Sequence, residues 1–259
     1  MMRRILLCLA LLIICIYAGA TVLIYGDTRN HPEVHRELIA RVQELRVNAV
    51  FHTGDLNQKG KSQSEYDSFK EIISPLPAPF YAIRGNHEKD LALFIKNFPS
   101  VDGLSFYSVI YDSLKFIILD SNLPLLPGSA QYRWLVNELE SSKLPLILML
   151  HHPVFSSGYH GDELGLQYYL PQLFKKYPVA AVISGHEHSF EHLIWEGLDF
   201  FVSGGGGAPL REQGSPDPRS VFFNMIHHYN LLIRQPQALL WQCFDLKGDL
   251  LYETTISLP

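Results

Sequence analysis

The sequence predicts an α/β fold in which two packed mixed β-sheets are flanked by helices. Three observations predict it. The chain opens with alternating strand and helix patterns, the arrangement that parallel strands joined by right-handed crossovers require. Further along, the apolar runs "LPLILMLHHP", "VAAVISGHEH" and "LDFFVSGGGG" each end in polar residues or glycines. No linker, repeat or low-complexity tract interrupts the 259 residues, of which 47% are hydrophobic and 18% charged, an ordinary balance for one large domain.

Residues 1–20 stand apart from that domain. "MMRR" is a charged start, "ILLCLALLIICIYAG" an apolar stretch, and "AGA" ending at Ala20 a small-x-small cleavage pattern, together an export signal. We expect 1–20 to be a signal peptide and 21–259 a single exported domain, periplasmic or extracellular. The alternative is an uncleaved, membrane-anchored segment, the only membrane contact expected. A span of about 20 apolar residues would consume "TVLIYG", however, which the first core strand needs. Cleavage removes Cys8 and Cys15 and leaves Cys243 alone, so no internal disulfide forms. Within "LLWQCFDL" that cysteine reads as a small buried hydrophobe. The net charge of −5 argues against binding to a nucleic-acid backbone, which favours a basic face.

The elements follow in order. "TVLIYGD" is a buried strand closing on a turn. Asn30 as N-cap and Pro32 in the first turn open a helix to about Arg46, with Val34, Leu38, Val42 and Leu45 as its apolar stripe. "NAVFHTGD" is a second strand, and Ser62 three residues before Glu65 is a capping box that starts a second helix. "PFYAIRGNHE" is a third strand. "LSFYSVIY" and "LKFIILDS" form a hairpin, and "SAQYRWLVNELESS" is an amphipathic helix with Trp134 and Leu135 facing inward. After the three apolar runs come "HYNLLIR", "ALLWQCFDL" and "DLLYETTIS", with Lys247-Gly248 as a turn.

The chemistry lies in where the polar residues fall. Asp27, Asp55, Asn86-His87, His151-His152 and His186/His188 each follow an apolar strand directly. In open α/β sheets ligands bind at the carboxyl ends of strands, so these ends predict one shared polar site. Oxygen and imidazole donors suit Mn, Fe or Zn rather than a thiolate site. Two carboxylates, an amide and three histidines exceed the needs of one tetrahedral ion. A single aspartate bridging two ions about 4 Å apart uses them economically, and such a pair promotes in-line displacement at phosphorus.

The blocks "GD" at 26–27, "GDLNQKG" at 54–60, "GNHE" at 85–88, "HHP" at 151–153 and "GHEH" at 185–188 resemble those of the calcineurin-like metallophosphoesterase superfamily. The likeness covers nearly all of the chain after residue 20. "GHEHSFEH" and "SGGGGAP" look closest to its purple-acid-phosphatase-like branch. The resemblance implies a metallophosphoesterase-like four-layer sandwich and a dinuclear centre of two transition metal ions. By position, Asp27, Asp55 and His188 would hold the first ion, and Asp55, Asn86, His151 and His186 the second, with Asp55 bridging. His87 would stabilise charge at the phosphate and protonate the leaving oxygen, and a metal-bound hydroxide would attack. His152 reads as a packing residue beside this set.

The sequence departs from that pattern at two positions. Where many members carry a histidine two residues after the first aspartate, this chain has Arg29. Where the purple acid phosphatases carry a metal-binding tyrosine three residues after the bridging aspartate, it has Gln58, which predicts a colourless protein. A guanidinium cannot coordinate a cation, so Arg29 reads as a clamp on phosphate oxygens, with a salt bridge to a neighbouring acid as the plainer alternative. His31 is a further group that could reach the first ion. His160, in the loop "FSSGYHGDEL", is the candidate substrate-facing histidine, and "SGGGGAP" lets backbone pass close to the centre. His227 and His228 default to the surface, with one of them supporting the ligands as the alternative. The expected activity is hydrolysis of small-molecule phosphate mono- or diesters. The alternatives are a phosphodiesterase restricted to nucleotides or phospholipid head groups, and a metal- or ligand-binding module that has lost turnover.

Overall fold

Strand β1 (Thr21–Tyr25) pairs in parallel with β2 (Ala49–His52), and β2 in parallel with β3 (Phe80–Ala82). Helices α1 (Pro32–Val42) and α2 (Gln63–Ile73) make the two crossovers. The register aligns Tyr25 with His52 and His52 with Ala82, so the three strands stop level and their following loops leave from one edge. On the other side of β1 three antiparallel strands, β11 (His228–Arg234), β12 (Ala238–Asp245) and β13 (Leu250–Ser257), complete a six-stranded sheet in the order β13-β12-β11-β1-β2-β3. This computed structural model describes residues 19–259. The expected signal segment lies outside the described residues except for Gly19 and Ala20.

The second sheet repeats the design. The hairpin β4 (Tyr107–Tyr111) and β5 (Leu114–Ile118) leads through α4 (Ala130–Ser141) to β6 (Leu146–Met149), and through α5 (Leu164–Phe174) to β7 (Val179–Ser184). Strands β5, β6 and β7 are parallel, with Ile118, Met149 and Ile183 in one row, so they too end level. Strands β8 (Phe190–Trp195), β9 (Leu198–Ser203) and β10 (Ser220–Asn224) complete the seven-stranded order β10-β8-β9-β7-β6-β5-β4.

Period-two alternation assigns the layers. Val22 and Ile24 of β1 face the second sheet, packing in a core with Phe51, Phe116, Ile147, Ile183 and Trp241. Leu23 and Tyr25 face outward onto Leu38, Ile39 and Val42 of α1. On the far side Ile117, Leu148 and Val182 meet Leu135 and Leu139 of α4 and Leu170 and Phe174 of α5. Helices, sheet, sheet and helices make four layers, as expected. Truncating a central ring such as Phe51, fully buried and stacked 4.5 Å from Phe116, costs about 3–5 kcal/mol. Cys243 is buried in this core, where burial pushes its thiol up. Among the described residues no helix is long and apolar enough to cross a membrane.

Several local expectations are corrected. Helix α1 begins at Pro32 after His31, not after an Asn30 cap, because Asn30 sits at φ +78°, and it ends at Val42 rather than Arg46. Helix α3 (Leu91–Asn97) was not anticipated: seven residues are too few for a visible stripe, and only Asp90, accepting from the Leu93 N–H, marks its start. Helix α5 carries Pro171 inside it, a signal that normally argues against a helix. Strand β8 is hidden in the sequence by buried polar residues. Glu191 accepts hydrogen bonds from Ser156 and Ser157, and His192 pairs with Tyr252 and Asp199.

Candidate metal centre

The level ends of the two sets of parallel strands meet across the sandwich. The His186 N–H donates to Asp27 Oδ2 (2.9 Å), the Thr53 hydroxyl to the Ser203 carbonyl (2.8 Å), and the Gly206 N–H to the Gly26 carbonyl (2.8 Å). Asp27, Asp55 and His186 adopt φ of +56°, +55° and +70°, left-handed conformations that cost a non-glycine residue free energy and gather at functional sites. Two glycines make room for them. A Cβ on Gly54, at φ +107°, would lie 2.5 Å from His151 Nδ1, and one on Gly185 would lie 2.6 Å from Asp27 Oδ2. The loop 203–209 passes equally close: the Ala208 N–H donates to the Asp27 carbonyl at 2.7 Å.

Asp55, Asn86, His151 and His186 converge on the second of the two expected ion positions. His151 Nε2 lies 3.0 Å from Asn86 Oδ1 and 3.4 Å from Asp55 Oδ1. His186 Nδ1 lies 3.1 Å from Asn86 Oδ1 and 3.3 Å from His151 Nε2. The other nitrogen of His151 faces the Thr53 carbonyl at 2.9 Å, and a carbonyl only accepts, so Nδ1 carries the proton and Nε2 is bare. Burial holds the pKa of His151 well below the usual imidazole range, with His152 adding to the effect. Three lone-pair bearers, Asn86 Oδ1, Asp55 Oδ1 and His151 Nε2, therefore face one another, with the His87 N–H on Asp55 Oδ1 and His186 Nδ1 within hydrogen-bond reach of the other two. These oxygen and imidazole donors, converging from four strand-end loops, fit a divalent transition metal.

Asp27, Asp55 and His188 form the first position, with one donor atom each within 4.8 Å of the others. His188 Nδ1 donates to the Pro209 carbonyl (2.6 Å), leaving Nε2 bare, 3.6 Å from Asp27 Oδ1. Burial, aided by Arg211, lowers His188 to about 3, so the ring is neutral. Asp27 Oδ1 is buried without a hydrogen-bond partner, and burial beside Asp55 pushes this carboxyl well up. Here Arg29 intervenes. Its Nε donates to Asp55 Oδ2 at 3.1 Å and its Nη2 to His188 Nε2 at 3.3 Å. The donor set suits an ion, but two of its three members already hold a guanidinium, so ion and arginine as placed do not fit together.

The remaining expected residues border this centre. The His87 backbone N–H donates to Asp55 Oδ1 (2.9 Å), while the ring donates Nδ1–H to the Gln58 carbonyl (2.6 Å) and points Nε2 toward Asp55 Oδ2 at 3.8 Å. The Gln58 side chain itself is exposed. His160 hydrogen-bonds Glu187 (3.0 Å), and its ring lies 4.5 Å from the His186 ring, tilted by 31°. His152 holds the Ser121 hydroxyl (2.8 Å) with its ring 4.6 Å from that of His186, close against the ligands. His31 does not reach the site; it pairs with Glu33 at the helix start. The surface expectation fails for His228, which is fully buried beneath Gly205.

Three residues went unsingled in the sequence. Glu88 is buried and accepts the N–H groups of Asp55, Asn57 and Gly85, tying the second and third strand-end loops together. Glu187 anchors His160, and Arg211 reaches the His186 carbonyl at 3.3 Å. Glu88 and Glu187 stand inside the quoted "GNHE" and "GHEH" blocks, which was the available signal; Arg211 had none.

Fold and donors together define an α/β protein with candidate cation-holding groups where two sheets meet. A family model described as calcineurin-like phosphoesterase matches residues 20–190, and the chain belongs to that family. It is a family of dimetal-dependent phosphoester hydrolases. A probable glycerophosphodiester phosphodiesterase of Arcobacter nitrofigilis is 29% identical over 185 residues, 64% of this chain and 67% of that protein. A probable inactive purple acid phosphatase of Arabidopsis thaliana is 26% identical over 254 residues, 74% of this chain but 41% of that one. The solved purple acid phosphatase from yellow lupin seeds shares the fold, with a TM-score of 0.80 at 22% identity, covering 93% of this chain and 54% of its own. This chain thus spans about half the length of those two phosphatases.

Proposed function

We propose that this chain is an exported, metal-dependent hydrolase of small phosphate mono- or diesters that works by direct displacement at phosphorus. The observation that carries the reading is the convergence of Asp55, Asn86, His151 and His186 beside a second donor set that shares Asp55. Ions bound there supply Lewis acidity toward a phosphoryl oxygen and an activated water. Asp55 turns Oδ1 toward one position and Oδ2 toward the other, which suits it to a bridging role. His87, with Nδ1 tied to the Gln58 carbonyl, keeps Nε2 free to give a proton to the leaving oxygen when the ring is charged. Arg29 and His160 border the ligands and are assigned to substrate oxygens. Diesters are included because the Arcobacter relative bears a phosphodiesterase name. The charged start and apolar run of residues 1–20 support export.

A second reading, metal binding without turnover, is favoured by one observation: Arg29 lies on Asp55 and His188. Elemental analysis of purified protein combined with assays on a chromogenic monoester and diester separates the two. Turnover abolished by chelation and restored by Mn, Fe or Zn is expected. Bound metal with no hydrolysis of any ester selects the second reading, and protein that takes up no metal rejects both.

A further inference from the structure

The two ion positions differ in a way their donor atoms alone do not reveal. An ion at the first position needs the lone pairs of Asp55 Oδ2 and His188 Nε2, and these are the acceptors that the Arg29 N–H groups occupy at 3.1 and 3.3 Å. A guanidinium has no lone pair to join a coordination sphere. Held at that distance, its charge also repels an incoming dication. Among the described residues no cation touches the ring of acceptors at the second position in the same way.

Arg29 neutralises the first position without satisfying it. Asp27 Oδ1 remains buried and unpartnered, so one donor still faces inward for an ion. The arginine also has somewhere to go. It borders a groove of about 470 Å³ lined by Thr28, Asn30, Asn57, Gln58 and Phe69. From this geometry we propose that Arg29 and the first-position ion exclude one another. The second position then loads directly, whereas the first loads only when the guanidinium leaves Asp55 and His188. The proposal rests on the metal-dependent reading above and adds an order and an inequality to it.

The test is calorimetric titration of chelator-stripped full chain with Mn²⁺, alongside Arg29→Gln, with bound metal counted after dialysis. Wild type should bind one ion tightly and a second about tenfold or more weaker, the scale of displacing charged hydrogen bonds. Arg29→Gln should narrow that gap by about tenfold, and adding His151→Ala should remove the tight ion. Arg29→Lys keeps the charge but cannot span Asp55 and His188 at once, so it should narrow the gap as well, and it serves if Arg29→Gln does not fold. Two equal sites in wild type overturn the inference, as does a gap of the same width in every Arg29 variant, or one ion on all of them; each leaves the hydrolase reading standing. No ion on any variant overturns that reading and the inference with it.

Discussion

The two halves of the centre share Asp55 and the same donor chemistry, yet differ in what already stands inside them. In the half built from Asn86, His151 and His186, donor atoms from three strand-end loops converge with no cationic side chain between them. In the half built from Asp27 and His188, an arginine from the same chain supplies positive charge. The difference teaches that ligand identity does not decide ion binding. The direction of each lone pair and the nearest competing donor do, and here a single residue two places after Asp27 sets them apart.

Asp55→Ala gives the largest effect, because it strikes both halves at once. Metal content should fall toward zero and turnover by about 10³-fold or more; retention of one full ion would show that the halves do not share this carboxylate. His151→Ala strikes one half. Affinity for the tight ion should fall by about 10²-fold or more, read by titration, while the weaker ion persists; loss of both equally would erase the distinction between halves. His87→Ala touches neither ion. It should lower kcat by about 10²-fold with metal content unchanged, and lost metal would make His87 part of a half-site rather than a proton donor.

The smallest effect lies outside both halves. Burial holds His35 at about 3 and His228 at about 4 in the folded chain, below the ordinary value of about 6.5. As pH falls the unfolded chain takes up these protons first. Their contribution is therefore complete above about pH 6.5 and is lost on descent toward 4, at up to about 1.4 kcal/mol per pH unit for each ring. Thermal unfolding of chelated protein should show this slope, and His228→Gln should flatten it. A Tm unchanged from pH 6.5 to 4 in chelated protein would contradict the buried neutral state of these rings.

Much of the fold was legible because its signals are local. Strands β1, β2, β6 and β7 are short apolar runs stopped by Gly-Asp, His or Gly-His, and Ser62 with Glu65 forms the capping box expected of them. Elements whose residues answer to distant partners were not legible. Strand β8 carries Glu191 and His192 inward because Ser156, Ser157, Asp199 and Tyr252 wait for them. Helix α5 is apolar on its solvent face as well, where Leu164 and Tyr168 are exposed, so no stripe announced it. The buried place of His228 depends on a glycine loop more than twenty residues earlier.

For the centre, the sequence by itself determined the donors and their placement at strand ends, since each is set by the few residues around it. Only the tertiary structure decided the state of those donors. Whether His151 Nε2 is bare depends on the Thr53 carbonyl 98 residues away, and whether His188 Nε2 is free depends on Arg29, 159 residues away. A lone pair takes its direction and its proton from whatever packs against it, and that neighbour is chosen by the fold, not by the adjoining sequence.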